Sequence, residues 1–275
     1  MGSSGIPYYN GNRIAHNAEI TSMVGEVQPI VKVYPRTIGA VLRGGGVTSK
    51  TLNLNCRTIP PVGTSRASVE NFMNEWNEKY GVDTGTLTVD ENDYLDCAID
   101  TVNYDPKIIN NYLTYDVNFR LGVQTEDTFD TPRQRVPSKL YEDTRGRTGL
   151  FVSGDSGKQF KIWHNMDIVR NLENRLTIEL YANESSDNSI KFNGGFETIV
   201  GTCWMKASGE DQHVGWKQTV GAYIYNIMNG PLGDIGTLYL GGNEIKNCLW
   251  TKVTLEEVYP TSARYQLEFI VSLQC

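Results

Sequence analysis

The sequence predicts a mainly β chain with minor α content, built from two tandem antiparallel β-barrel or β-sandwich domains that each carry one flanking helix. Two observations predict this fold. The stretch "GTLTVDENDYLDCAIDTV" at 85–102 returns 151 residues later as "GTLYLGGNEIKNCLWTKV" at 236–253, and a repeat at a fixed offset indicates a duplicated unit. Apolar residues also alternate with period 2 through much of each copy, which is typical of half-buried strands.

The repeat extends to strands on both sides of this stretch. "QPIVKVY" at 28–34 matches "RLTIELY" at 175–181, and "LTYDVNFRLG" at 113–122 matches "ARYQLEFIVS" at 263–272. The segment 125–148 between the copies is polar, contains two prolines and has no periodicity. We therefore assign it as a linker between a first domain at 1–124 and a second domain at 149–275.

One stretch of each copy predicts an amphipathic helix, and it falls at the same place in the repeat. Apolar side chains recur at helical spacing in both stretches, namely Val69, Phe72, Met73, Trp76 and Tyr80 in the first and Val220, Tyr223, Ile224 and Ile227 in the second. The pattern predicts helices over 68–80 and 214–229. Ser68 is predicted as the N-cap of the first helix, and Gly81 as its C′ glycine.

Composition excludes several classes of protein. With 39% hydrophobic and 21% charged residues, the 275-residue chain is globular rather than disordered. A net charge of −7 provides no general attraction for nucleic acid or for anionic membranes. No run approaches the roughly 20 apolar residues of a transmembrane helix, and the N-terminal residues lack the pattern of a signal peptide. We expect no membrane insertion and no secretion.

Four of the five cysteines form two equivalent pairs, Cys56 with Cys203 and Cys97 with Cys248. Free cysteine is among the most buried residue types, so we expect these thiols inside strands. The spacing of zinc ligands is absent. A disulfide between Cys56 and Cys97 would require neighbouring strands and an oxidising compartment.

The sequence contains no recognisable catalytic, cofactor-binding or metal-binding motif, and it predicts no enzyme. His16 and His164 occupy equivalent positions, which favours a structural hydrogen bond made twice. His213 precedes the second helix and is interpreted as a loop or capping residue. "DENDYLD" at 90–96 has the alternating acidic residues of a calcium loop, but the second copy lacks most of those oxygens, so a turn is favoured.

Two other features of the sequence bear on binding. "RGGGVTSK" at 43–50 lacks the spacing of a phosphate-binding loop and is interpreted as an adaptable hairpin tip. It supplies the candidate inter-subunit loop, which consists of Arg43, Gly44, Gly45, Gly46 and Lys50. Exposed aromatic residues on a β-sandwich would bind sugars, and the candidates for that role are Trp163, Trp204, Trp216 and Trp250.

The order of the elements resembles the tail-tube fold of long-tailed bacteriophages, which type VI secretion tubes and the hub and distal tail proteins of baseplates share. The resemblance is carried by the first helix with its sequel "GTLTV", the turn at Asn92, the following strand at 94–99, and the closing strands "YDVNF" and "YQLEF". It implies tail-tube-like barrels that assemble side by side into six-fold rings. Because most tube proteins carry one copy, the duplication implies a homo-oligomeric ring of three chains, with six chains as the other stoichiometry.

The resemblance also implies a function. It implies a structural virion protein of the tail tube, or of the adjoining hub or adaptor, around a channel through which phage DNA passes without specific binding. Other tail or baseplate proteins would be its partners, and assembly would take place in the host bacterial cytoplasm. The alternatives are a distal tail or baseplate protein and a β-sandwich that binds host carbohydrate.

Overall fold

A computed structural model describes residues 5–33, 40–43, 47–60, 65–81, 84–109, 111–122, 149–154, 156–162, 167–179, 189–206, 216–240, 243–259 and 262–272. These residues form antiparallel β-structure with two helices, which confirms the mainly β fold class. The segment 125–148 lies outside the described residues, and the domain boundaries drawn on either side of it stay a prediction.

The first copy contains nine described strands and one helix. In chain order they are β1 (Tyr8–Tyr9), β2 (Asn12–Arg13), β3 (Asn17–Val27), β4 (Ile30–Val33), β5 (Ala40–Arg43), β6 (Val47–Thr58), α1 (Arg66–Tyr80), β7 (Gly85–Val89), β8 (Asn92–Ile109) and β9 (Tyr112–Arg120). The second copy contains seven described strands and one helix. They are β10 (Gly149–Ser153), β11 (Gln159–Ile162), β12 (Asp167–Glu179), β13 (Ser189–Lys206), α2 (Trp216–Asn229), β14 (Ile235–Leu240), β15 (Asn243–Val258) and β16 (Ser262–Ser272).

Equivalent strands pair in the same order in the two copies. The order is β2-β1-β7-β8-β9-β6-β3 in the first copy and β11-β10-β14-β15-β16-β13-β12 in the second, and all of these pairs are antiparallel. In the second copy, the single long strand β12 is equivalent to β3 and β4 together, and β13 is equivalent to β5 and β6 together. The β4–β5 hairpin therefore corresponds to the last part of β12 paired with the first part of β13.

Irregularities of the ladder recur at equivalent residues. The register of β8 against β9 shifts between Ile99 and Thr101, and that of β15 against β16 shifts between Trp250 and Lys252. Asp100 and Thr251, which lie at these bulges, are 151 residues apart, as the repeat requires. A bulge increases the local twist and bends the strand, so both copies bend at the same place.

The helix α1 begins earlier than the sequence predicts. Its N-cap is Ser65 rather than Ser68, and the Oγ atom of Ser65 accepts a hydrogen bond of 3.2 Å from the backbone N–H of Ser68. Gly81 is the C-cap, with φ −78°, and is not a left-handed C′ glycine. Its N–H donates to the carbonyl of Asn77 at 2.7 Å, a regular α-helical hydrogen bond, so the right-handed geometry continues to the last residue of the helix.

The predicted apolar stripes face the core in both helices. Of the stripe of α1, Val69, Met73 and Trp76 are buried, and Phe72 and Tyr80 pack against the core. In α2 all four predicted residues are buried, and so are Tyr225 and Met228 on other sides of the helix. A helix that is apolar around most of its circumference is an internal helix. Accordingly, most of the buried apolar side chains of both copies belong to one contiguous cluster.

A close contact between α2 and the first copy depends on a glycine. A Cβ atom at Gly221 would lie 2.6 Å from the Oη atom of Tyr94 and 3.0 Å from the Nδ2 atom of Asn92. Tyr94 is fully buried at the start of β8, so its ring has no room to withdraw. Glycine is unfavourable inside a helix. At position 221 the absence of a side chain allows α2 to pack closely against β8.

We predict that Gly221→Ala and Tyr94→Phe are strongly coupled. Alone, Gly221→Ala lowers the free energy of unfolding by about 1 kcal/mol, because overpacking outweighs the helix propensity of alanine. In the Tyr94→Phe background the same change raises it by up to about 1 kcal/mol, since the hydroxyl group has gone. Urea denaturation of the four proteins measures the coupling, and additive effects would contradict the contact.

Candidate assembly site

The two copies meet through a strand pairing. Four residues of β15 pair antiparallel with β3, in the register Lys252 with Glu26, Val253 with Gly25, Thr254 with Val24 and Leu255 with Met23. The other edge of β15 pairs with β16 over the same residues. One sheet therefore runs from the second copy into the first. An exposed strand edge is a template for pairing, and here each copy covers an edge of the other.

Helix α2 packs against the inner face of the sheet where β15 and β3 are paired. A Cβ atom at Gly25 would lie 2.8 Å from the Cγ atom of Met228 and 2.9 Å from the Cδ2 atom of Leu232, so any larger residue here would force these two side chains to shift. The ring of Tyr225 packs edge-on against Tyr94, with centroids 5.0 Å apart. Burial raises the pKa of Tyr225 to about 12, so the phenol stays neutral, and its Oη atom accepts a hydrogen bond of 3.3 Å from the backbone N–H of Leu95 on β8.

The β4–β5 hairpin of the first copy covers the outer side. It contacts β13, β15 and β16 of the second copy. Leu42 of this hairpin belongs to a small buried cluster with Phe196, Leu249 and Ile270, and Val31 packs against that cluster. The junction thus combines a strand pairing with apolar contacts on both faces of the joined sheet.

The two described residues of the candidate inter-subunit loop, Arg43 and Lys50, lie on strands beside this junction. Arg43 ends β5, whereas Gly44, Gly45 and Gly46 lie outside the described residues. Lys50 is on β6 and only 5% exposed, and its Nζ atom donates a hydrogen bond to the Oδ1 atom of Asn229 at the end of α2. Lys50 therefore connects the two copies within one chain. That the loop contacts a neighbouring subunit stays a prediction.

Burial also changes the acidity of Lys50. Desolvation of its ammonium group lowers the pKa from 10.5 to about 8, because the charged form loses more hydration on burial than the neutral form does. The equivalent position on β13 is Glu197, which accepts two hydrogen bonds of 2.5 and 2.7 Å from the guanidinium group of Arg170 on β12. The two copies thus place opposite charges at one position of the repeat.

The other residues singled out in the sequence occupy structural positions. The Nδ1 atom of His16 lies 2.8 Å from the Oγ1 atom of Thr58 and accepts from the backbone N–H of Ile59 at 3.3 Å, as expected for a structural histidine. His164 and His213 lie outside the described residues. Asp90 and Glu91 form the β7–β8 turn with positive φ values of 49° and 62°, which confirms the turn interpretation.

The thiols are buried as predicted. Cys56, Cys97, Cys203 and Cys248 are free and buried, and Cys275 lies outside the described residues. Desolvation raises the pKa of Cys97 and of Cys203 to about 12. Among the described residues, no group of three or more His, Cys, Asp or Glu side chains is arranged to hold a metal ion. Neither described helix is long and apolar enough to cross a membrane.

Two of the tryptophan candidates for sugar binding, Trp250 and Trp204, have described surroundings. Trp250 is fully buried and packs against Phe151 and Phe269, so its proposed exposure is wrong. Trp204 stacks on Tyr259 with centroids 6.4 Å apart, and this contact covers one face of its ring. Trp216 begins α2, and Trp163 lies outside the described residues.

Sequence reasoning missed the residues that build the junction, although differences between the copies mark them. Helix α2 has Tyr225, Gly221 and Met228 where α1 has Asn74, Glu70 and Asn77. A change from polar residues to apolar residues or glycine on the outer side of a repeated helix indicates that only one of the two helices is covered on that side.

Comparison with known proteins gives little. No family model matches the chain, and no curated protein matches it. The chain is similar to a solved structure, the Dit protein (gp 19.1) of SPP1, described as a paradigm of the hub adsorption apparatus in phages that infect Gram-positive bacteria. The likeness covers 98% of this chain and 99% of that chain, with 8% sequence identity and a TM-score of 0.33. A likeness of this size carries no argument about this chain.

We predict that Lys50→Met removes a pH dependence of stability. Between about pH 8 and 10.5 the lysine of the unfolded chain holds a proton that the folded chain has released, so the free energy of unfolding of the unchanged protein rises with pH across this window, relative to the variant. Below pH 8 the difference is constant. Urea denaturation of both proteins from pH 7 to 10.5 measures it, and parallel curves would contradict the lowered pKa.

Proposed function

We propose that this chain is a structural subunit of a bacteriophage tail. It forms a ring of the tail tube, or of the adjoining hub or adaptor, in which three chains supply six barrel units around a channel. The role is structural rather than catalytic. The same proposal includes a distal tail or baseplate position, because the family that the sequence resembles uses one domain at all these places.

The observation that carries the proposal is the junction between the two copies. Two units with the same strand order are joined side by side by the pairing of β15 with β3. The two units contribute different edges, so the contact is heterologous. Repeating a heterologous contact produces a ring when its rotation closes, and an open filament when it does not. In the proposed ring, each chain already contains one such contact, and contacts of the same kind between chains complete the ring.

The expected stoichiometry is three chains. Native mass spectrometry of the purified protein should give a mass of about 92 kDa, three times the 30.8 kDa of one chain, and negative-stain images should show a ring with a central hole. Six chains would support a ring and contradict the stoichiometry. A chain that remains monomeric at high concentration would contradict the proposed function.

The channel is proposed to let DNA pass without holding it. A net charge of −7 per chain, which is −21 for three chains, repels a polyanion. We predict that the assembled protein does not retain linear duplex DNA in gel-shift experiments at low salt, where phosphate contacts are strongest. Binding that weakens as salt is added would contradict a repulsive channel and would indicate basic side chains on its wall.

A further inference from the structure

Each of the two strand edges joined at the internal junction has an equivalent in the other copy. In the described part of the chain, neither of these equivalent edges has a partner strand. Residues 252–255 of β15 pair with β16 on one edge and with β3 on the other. The equivalent residues 101–104 of β8 pair with β9, and their other edge has no partner strand among the described residues. In the same way β3 pairs with both β6 and β15, whereas β12 pairs only with β13 within the described ranges.

We propose that residues 101–104 of β8 pair antiparallel with residues 170–173 of β12 in a second copy of this chain. The inference rests on the proposed ring and assigns its contact between chains. Each chain would offer one β8 edge and one β12 edge, so the contact repeats from chain to chain. It has the same handedness and direction as the internal contact, because both edges are equivalent to edges already joined within the chain.

The register follows from the internal junction. Met23 faces Leu52 on β6, and Arg170 faces the equivalent residue, Ile199, on β13, so Arg170 takes the place of Met23. On the other side of the junction, residues 101–104 are equivalent to 252–255. The expected pairs between chains are therefore Thr101 with Glu173, Val102 with Leu172, Asn103 with Asn171 and Tyr104 with Arg170.

The start of β12 carries exposed apolar side chains, which supports the proposal that a second chain covers this edge. Ile168 is 43% and Val169 is 56% exposed. Consecutive side chains of a strand point to opposite faces, so both faces of the strand carry exposed apolar residues at this end. Natural proteins protect open edges with charged side chains, lysine above all, with proline or with a short strand. The five exposed residues 167–171 contain neither lysine nor proline, and of their two charged residues, Asp167 and Arg170, the second is paired with Glu197. An edge of this kind is suited to a partner strand.

The length of the β8 edge also matches. The pairing of β8 with β9 shifts register between Tyr104 and Ile108, and Pro106 within this shift has no backbone N–H to donate. The regular edge of β8 after the bulge at Asp100 is therefore four residues long, from 101 to 104. The internal junction also consists of four pairs.

The side chains suit a weaker contact than the internal one. Arg170, whose side chain is 55% exposed, would lie beside the ring of Tyr104, an arrangement in which a guanidinium group is attracted to an aromatic face. Asn103 and Asn171 are both exposed and would be direct neighbours. The apolar supports of the internal junction change, however: Arg120, in an ion pair with Asp100 at 3.0 Å, replaces Ile270. Backbone hydrogen bonds would thus carry most of the contact.

Chemical cross-linking tests the register. The variant carries Asn103→Cys and Asn171→Cys together with Cys275→Ser, and it is treated with a short bismaleimide that reaches across neighbouring strands. The four buried thiols stay unreacted, because burial raises their pKa and removes them from solvent. On a denaturing gel the double variant is expected to move from the one-chain position to a three-chain position. Each single variant should give no three-chain species.

A matched control uses a shifted register. Asn103→Cys is combined with Asp167→Cys, which is also exposed and lies four residues along β12, or about 13 Å. This pair should cross-link far less than the 103/171 pair. Stronger linkage of the shifted pair, or a linkage within one chain that only changes the mobility of the monomer, would overturn the proposed pairing.

Native mass spectrometry of the untreated double variant separates the two proposals. A three-chain mass without cross-linking at 103/171 would overturn the strand pairing and leave the ring intact. A one-chain mass at high concentration, as expected if a different protein covers these edges, would overturn both. Cross-linked species that stop at two chains would keep the pairing and overturn the three-chain ring.

Discussion

The pairing of β15 with β3 is the interaction on which the rest of this structure depends. A strand edge carries unpaired N–H and C=O groups, and burying it without a partner is costly. Once the two edges are joined, α2 comes to lie against both copies. At Gly25 and Gly221 a side chain would collide with the neighbouring residues. The buried ammonium group of Lys50 donates a hydrogen bond to Asn229. The two glycines and the buried lysine are unusual when each is taken alone, and the strand pairing between the copies explains all three.

The duplication explains why two units with the same pairing order have different surfaces. The backbone pattern is repeated down to the bulges at Asp100 and Thr251, because strand register is determined by inward-facing side chains. Outward-facing positions meet different neighbours in the two copies and have diverged accordingly. Ile270 contacts the β4–β5 hairpin region, whereas its equivalent, Arg120, bonds Asp100 and is exposed. Core positions thus preserve the unit, and outer positions distinguish its two places in the chain.

Much of the unit was predictable from sequence, because period-2 alternation reports which side chains face inward. The alternation of β9, for example, is observed with Leu113, Tyr115, Val117 and Phe119 buried. The same reasoning failed for Trp250, since the bulge at Thr251 interrupts the alternation and four consecutive residues, 248–251, are buried. The predicted N-cap, Ser68, was also wrong: the observed N-cap is Ser65, one turn earlier, and a serine at either position has the side chain that a cap needs. The changes from polar to apolar residues on α2 indicate a covered side of that helix, but the strand pairing was not predictable, since alternation distinguishes the faces of a strand and says nothing about which edges meet.

The sequence separation of the junction has a consequence for synthesis. Met23 and Leu255 are paired, yet they are 232 residues apart in the chain. At a translation rate of about 5–20 residues per second, roughly 12–46 s pass between the synthesis of one and of the other. During this interval the nascent first copy has an uncovered β3 edge, and many ribosomes on one message hold such edges close together. The order of events on the ribosome therefore favours exchange of strands between nascent chains, and a folding catalyst or holdase that shields β3 would have its largest effect on yield in this interval.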